Sequence, residues 1–298
     1  MTIAPSPSTA PVSLKSWGML FFLSLIWGSS YILIKKALTA FAPQQVACLR
    51  LSFSALILLP FLIANFRQID WSRLKYLVVV GIMGSGIPAF LFPVAQLKIS
   101  SSITGILNAL TPLFTLFIGV LLFRASWVWS KVLGIMIGLS GATLLVLIKD
   151  SNGNGSNIAY SLLVVMATIC YAISANTVGN RLRDMNSFHI TIVSFFLVGI
   201  PAAIWLFATT DIVHRVSTNP QALPVLGLVA LLSLFGTVIG SVYFFRLVQW
   251  TNPVFASTVS YLAPVISVIW GFWDGEPVNI LHFAGMFLIL AGVYLSRK

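Results

Sequence analysis

Residues 101–123, SSITGILNALTPLFTLFIGVLLF, hold no charged side chain over 23 positions. At ~1.5 Å per residue such a run, wound as a helix, rises ~34 Å, enough to cross ~30 Å of hydrocarbon. It is too long for a ~10-residue membrane β-strand and lacks the alternation of one. Helix is then the conformation that satisfies its backbone in lipid. A second stretch, VFASTVSYLAPVISVIWGFW at 254–273, is built alike, and a shift of 152 residues lays Asn108 on Ser260, Pro112 on Pro264, Thr115 on Ser267 and Gly119 on Gly271.

The rest of the chain extends this pattern. Of 298 residues, 58% are hydrophobic and 8% charged, against about a quarter charged in soluble domains, which excludes a water-soluble enzyme. Apolar runs predict ten spans near 17–38, 43–64, 75–96, 101–123, 127–148, 158–178, 187–208, 223–247, 254–273 and 279–296. At ~20 residues per span, no room is left for a folded domain outside the membrane. Residues 1–14 read as a disordered tail rich in Pro, Ser and Thr, and no cleaved signal peptide is expected.

The net charge of +11 comes from Lys and Arg at the ends of apolar runs, so it reads as topology and not as nucleic-acid binding. Eleven Lys and Arg fall on the side of the N-terminus, from Lys15 to Lys298, against five on the other: Lys35, Lys36, Lys98, Lys149 and Arg215. That excess predicts both termini in the cytoplasm of a multi-pass inner or plasma membrane protein. Cys48 and Cys170 lie in different apolar runs and offer neither a disulfide framework nor a metal motif.

The 152-residue register also matches Gly84 with Gly236 and Phe92 with Phe244. Five spans at 15–148 precede a polar linker, KDSNGNGSN at 149–157, and five follow at 158–298. Two five-span copies joined end to end insert with opposite orientations, the inverted repeat of secondary transporters.

WGSSYILIKKAL at 27–38, ACLRL at 47–51, and the pair TPLFTLFIG at 111–119 and APVISVIWG at 263–271 resemble the EamA family of the drug/metabolite transporter superfamily. The resemblance runs over residues 15–297. It implies an all-α polytopic fold with ten transmembrane helices in a 5+5 inverted repeat. Spans one, three, four, six, eight and nine would line a central cavity. It also implies the export of amino acids and other small metabolites.

Within those spans the polar residues predict where a solute would sit. Thr104, Asn108, Thr111 and Thr115 share one face of the fourth span; Ser257, Ser260, Pro264 and Ser267 share one of the ninth. Asn108, Thr111, Ser260 and Tyr261 are expected to face substrate, while Thr104, Thr115, Ser257 and Ser267 read as packing hydroxyls that bond back to their own helix. Pro112 and Pro264 are expected to free carbonyls near 108 and 260, and Pro88 to break the third span between GIMGSG and Gln96. Trp27, Tyr31, Phe92, Gln96, Tyr171, Ser174, Tyr243 and Phe244 complete the expected lining.

No Asp or Glu lies within a predicted span, Asp274 and Glu276 read as solvated loop acids, and His189 and His282 begin peripheral spans. A largely uncharged site with no proton-relay group is therefore expected, and no metal or cofactor. Arg50, inside the second span, is expected to bond backbone carbonyls outside the cavity. The expected partners are a small zwitterionic or neutral solute and the lipid bilayer. A nucleotide-sugar or sugar-phosphate carrier of the same superfamily would need cavity cations, for which Lys98 and Arg246 are the nearest in sequence. A membrane enzyme would need clustered His, Asp, Glu or a nucleophile, and the sequence offers none in its spans.

Overall fold

The computed structural model describes residues 13–123, 158–276 and 280–296, with positions 133, 134, 136, 137, 140, 141 and 144 between them. Most of the predicted fifth span, the linker and most of the tail lie outside the described residues. Elsewhere the apolar runs are helices, and eight are long enough to cross a membrane: Leu14–Ala37, Pro43–Gln68, Trp71–Ala95, Ser101–Phe123, Ile158–Arg181, Ser187–Thr209, Ala222–Trp250 and Pro253–Trp273. A shorter apolar helix, Ile280–Ser296, stands where the tenth span is expected. No strand occurs among the described residues. The protein is an all-helical, multi-pass membrane protein, and its spans are numbered below as in the sequence.

The start signals are conventional. Ser13 accepts the Ser16 N–H ahead of the first span, Pro43 opens the second, and Asn186 and Asn252 cap the seventh and ninth. Large apolar side chains such as Leu56, Ile63, Ile204, Phe207 and Phe272 face outward, where lipid would cover them.

Helix contacts follow a paired scheme. Span two packs on span seven and span four on span nine; span one packs on spans nine and eight, and span six on spans four and three. Exchanging each span with the one five places later leaves this set of contacts unchanged. Small residues set the closest approaches, since lipid supplies no hydrophobic drive between helices. A Cβ placed at Gly28 would lie 2.8 Å from the Ala263 carbonyl, and one at Gly199 would lie 2.7 Å from that of Leu51.

Two spans depart from α geometry at matching places. Ile82–Gly86 in span three and Leu232–Ile239 in span eight are π-helical, the first within the small-residue run GIMGSG. Spans four and nine are interrupted: Ser101–Asn108 ends at Ala109 before Thr111–Phe123 begins, and Pro253–Ser257 is separated from Val259–Trp273 by Thr258. The break in span four stands just before Pro112, as expected. In span nine it precedes Pro264 by six residues, because the proline is absorbed inside a continuous helix.

Candidate functional site

Where the two broken spans cross, Asn108 Nδ2 donates to Ser260 Oγ at 3.4 Å, so positions 152 apart in sequence meet in space. Both side chains are 4% exposed. Beside them lies a cavity with about 790 Å³ of empty space, part of it open to solvent, a size that suits a metabolite. Trp27, Ser30, Tyr31 and Ile34 from span one line it, with Gly84, Ser85 and Phe92 from span three and Asn108 and Thr111 from span four. Tyr171 and Ser174 of span six, Gly236, Ser241, Phe244 and Phe245 of span eight, and Ser257 and Ser260 of span nine complete the wall, together with Arg50 of span two.

The π segments place several of these groups. A π turn weakens the ordinary i to i−4 ladder and frees a carbonyl. Trp27 Nε1 donates to the Gly236 carbonyl at 2.9 Å, which fixes the indole against Phe244 with ring centroids 5.1 Å apart. Tyr31, Phe92 and Tyr171 form a run with centroids 5.8 and 5.9 Å apart. Ser30 sits against Gly236, and Ser174 against Gly84. Ser174 Oγ is buried without a hydrogen-bond partner.

Nine of the twelve expected substrate-facing residues are brought together here: Trp27, Tyr31, Phe92, Asn108, Thr111, Tyr171, Ser174, Phe244 and Ser260. Three are not. Gln96 closes span three with its amide buried and unbonded; Tyr243 is exposed and meets Phe22 edge-on at 5.9 Å; Tyr261 packs against an apolar core cluster and is not among the cavity-lining residues. The packing hydroxyls bond as expected: Thr104 to Ser100 O, Thr115 to Thr111 O, Ser257 to Val254 O and Ser267 to Pro264 O, at 2.8 to 3.0 Å. Ser257 nevertheless reaches the wall. The carbonyl of Asn108 is not free, since Thr111 Oγ1 donates to it at 2.7 Å. Pro88 lies in the first turn after the π segment of span three, inside a span that runs on as helix to Ala95.

Two expectations about charge are overturned. Arg50 is a wall residue, because span two presses on the π segment of span eight and its guanidinium crosses it: Nε donates to Thr237 Oγ1 at 2.7 Å. Lys98 is exposed, and Arg246 stacks 4.9 Å over Trp250; neither lines the cavity. Glu276 is not a solvated loop acid. Its side chain is 4% exposed, and it accepts from Lys35 Nζ at 2.8 Å and from the N–H and hydroxyl of both Ser101 and Ser102 at 2.6 to 3.0 Å. It therefore caps the fourth span and ties it to the first and ninth just beyond Ile34. Asp274 joins Lys35 at 2.7 Å and also pairs with Lys36. Burial raises the Glu276 carboxyl, but Lys35 and the serine donors outweigh it and hold the group below its usual range; Lys35 and Lys36 hold Asp274 low.

At the other end Arg73 pairs with Asp184, and Gln249 Nε2 bonds the carbonyls of Leu182 and Met185 at 2.9 and 2.6 Å. Among the described residues, no three His, Cys, Asp or Glu cluster as a metal site would require.

The chain matches the model of the EamA-like transporter family over residues 15–147 and 158–297. It is 24% identical over 283 residues to an uncharacterized transporter of Archaeoglobus fulgidus, covering 95% of this chain and 98% of that one. It is 26% identical over 290 residues to the uncharacterized inner membrane transporter YedA of Escherichia coli K12, covering 95% and 90%. A Chlamydia trachomatis protein named an S-adenosylmethionine/S-adenosylhomocysteine transporter is 23% identical over 285 residues, covering 91% and 86%. A solved crystal structure shares the fold with a TM-score of 0.67, covering 95% of this chain and 96% of its own at 15% identity. With both family matches falling on the helices that build this cavity, the chain belongs to the EamA-like transporter family.

Proposed function

We propose that the protein moves amino acids and similar small zwitterions across the membrane by alternating access around the central cavity, as an exporter or facilitator. The observation that carries this reading is the contact of Asn108 with Ser260 at the cavity wall, where residues matched by the 152-residue register meet. An inverted repeat of residues 15–148 and 158–298 accounts for that contact, because the two copies would share an axis through it. The exchange-invariant packing of the spans and the paired π segments support the same division. Rocking of one copy against the other then exposes the cavity to alternate sides.

The walls suit a zwitterion. Aromatic faces and hydroxyls can take an ammonium and an apolar side group, and Arg50 supplies one positive charge, against the two negative charges of a sugar phosphate. S-adenosylmethionine and S-adenosylhomocysteine, named for the chlamydial relative, both end in an amino-acid group, which supports this class over nucleotide sugars. Among the described residues no carboxylate lines the cavity, so nothing in its wall relays protons as an acid would, and the solute's own gradient drives net movement. The excess of basic residues on the side of the N-terminus supports a topology with both termini in the cytoplasm. The pairing of Lys35 and Lys36 with Asp274 and Glu276 at one end, and of Arg73 with Asp184 at the other, agrees with the sides assigned to those residues.

Reconstituted vesicles preloaded with a mixture of amino acids test this directly. Efflux of at least one amino acid without any imposed pH or Na⁺ gradient is the expected result. Efflux no faster than from protein-free vesicles overturns it.

A further inference from the structure

Arg50 brings a full positive charge to membrane depth, and the residues around it leave most of that charge unanswered. Its Nε is spent on Thr237 Oγ1 at 2.7 Å. The Thr237 hydroxyl in turn gives its proton to the Leu232 carbonyl at 3.3 Å, five residues back along the π segment, so its lone pair is held toward Arg50. Ser54 and Ser233 both donate to the Arg50 carbonyl, at 2.8 and 3.1 Å, and fix the backbone from which the side chain leaves. The two Nη groups have no hydrogen-bond partner among the described residues, and Arg50 is one of the residues that line the cavity.

Among the described residues no carboxylate is at hand to neutralise it. The sequence holds six Asp and Glu. Asp70 and Asp184 bind Arg73, Asp211 binds Gln45 and Arg215, and Asp274 and Glu276 bind Lys35 and the serines. Asp150, in the linker region, lies outside the described residues. An unpaired guanidinium in a low-dielectric wall costs several kcal/mol, and a cavity that keeps one is built for an anion that arrives from outside. The geometry selects the anion. A planar pair of Nη donors, held at the Nε end, matches the two oxygens of a carboxylate. A phosphate monoester would bring a second negative charge with no second cation in the wall.

We infer that Arg50 is the carboxylate receptor of the cavity, and that the substrate carries a free carboxylate whose other end lies among Trp27, Tyr31 and Tyr171. This rests on the transporter reading above and narrows it. A solute that is merely polar, or whose carboxyl is an amide or ester, is excluded.

The test is a thermal-stabilisation panel on purified full-length protein. It uses the twenty amino acids, their C-terminal amides, the monocarboxylates from propionate to benzoate, phenyl phosphate and glucose, each with wild type, Arg50→Lys and Arg50→Gln. Stabilisation by one or more free carboxylates but not by the matched amide is expected. Affinity should fall at least tenfold in Arg50→Lys, which keeps the charge but not the fork, and binding should vanish in Arg50→Gln. Without ligand, Arg50→Gln should melt no lower than wild type, because it removes an uncompensated charge.

Equal binding of an acid and its amide, unchanged affinity in Arg50→Gln, an Arg50-dependent preference for phenyl phosphate, or no carboxylate binding at all overturns the proposal. So does an apo melting point in Arg50→Gln more than about 5 °C below wild type, which would make the residue structural. Vesicle efflux that persists in Arg50→Gln would sink this inference while leaving the transporter reading intact; absent efflux in wild type would remove both.

Discussion

Replacing Glu276 by Gln isolates the chemistry of the clamp between spans one, four and nine. The native carboxylate receives five donors: the Lys35 ammonium, two backbone N–H groups and two hydroxyls. A glutamine keeps the shape but offers one acceptor oxygen, so its NH₂ is turned toward either the Ser101 or the Ser102 N–H. One buried backbone donor is then left unsatisfied, at about 1–3 kcal/mol. The surviving bonds also lose the strength that a charged acceptor gave them, for a total loss of about 3 kcal/mol. Lys35 is 35% exposed at its side chain, so Lys35→Met should cost less than about 1 kcal/mol.

Thermal unfolding in detergent at pH 7 measures both, and a pH series adds a second reading. The Glu276 carboxyl titrates below its ordinary value of 4.5 in the folded protein. The stability it contributes is therefore complete above that value and is lost as pH falls through the lowered folded pKa. Glu276→Gln should flatten that acid slope. A variant within about 0.5 kcal/mol of wild type, or a larger loss in Lys35→Met than in Glu276→Gln, would refute the argument.

Other substitutions separate lining from packing. Asn108→Leu should lower flux at least tenfold while the protein folds, whereas Thr115→Leu, whose hydroxyl bonds its own helix, should lower it less; equal losses in vesicle efflux would assign Asn108 to packing. Gly199→Leu should destabilise the protein by about 3 kcal/mol, measured by unfolding, because its side chain would enter the Leu51 carbonyl and Ala55. Tags at residues 1 and 298 should both be protected in sealed right-side-out membranes; opposite accessibility would remove the ten-span, two-copy topology.

The spans were legible because hydrocarbon leaves so little choice: a long uncharged run must be a helix, and its ends collect Lys, Arg and Trp. The crossing of Asn108 and Ser260 was legible from the register and from the stripe of hydroxyls on one face. Arg50 was misplaced for an instructive reason. The family resemblance sets span two outside the cavity, yet a cation in an apolar run, in a chain with no acid in any span, already signalled a partner from elsewhere. Glu276 gave less warning, since the serines that cap on it lie 175 and 174 residues away, and no local pattern announces so distant a partner. Tyr243 and Tyr261 were drawn in by residue type, but neither lines the cavity. The π segments alter helical phase in a way that a fixed period cannot register.

That phase change governs the site in a further way. Each π turn inserts about one residue into the helix, which rotates everything after it by about 100° relative to what came before. Phe92 and Phe244 both lie downstream of such an insertion, while Gly84 and Gly236 lie inside it. The direction in which the two phenylalanines point is thus set by residue count and not by residue identity. Substitutions that keep the π winding and spare the tightly packed Gly84 and Gly236 would leave the rings where they are, whereas removal of a single residue from either segment would restore regular winding and swing a phenylalanine out of the wall. In each half, the shape of the cavity hangs on the length of one short segment.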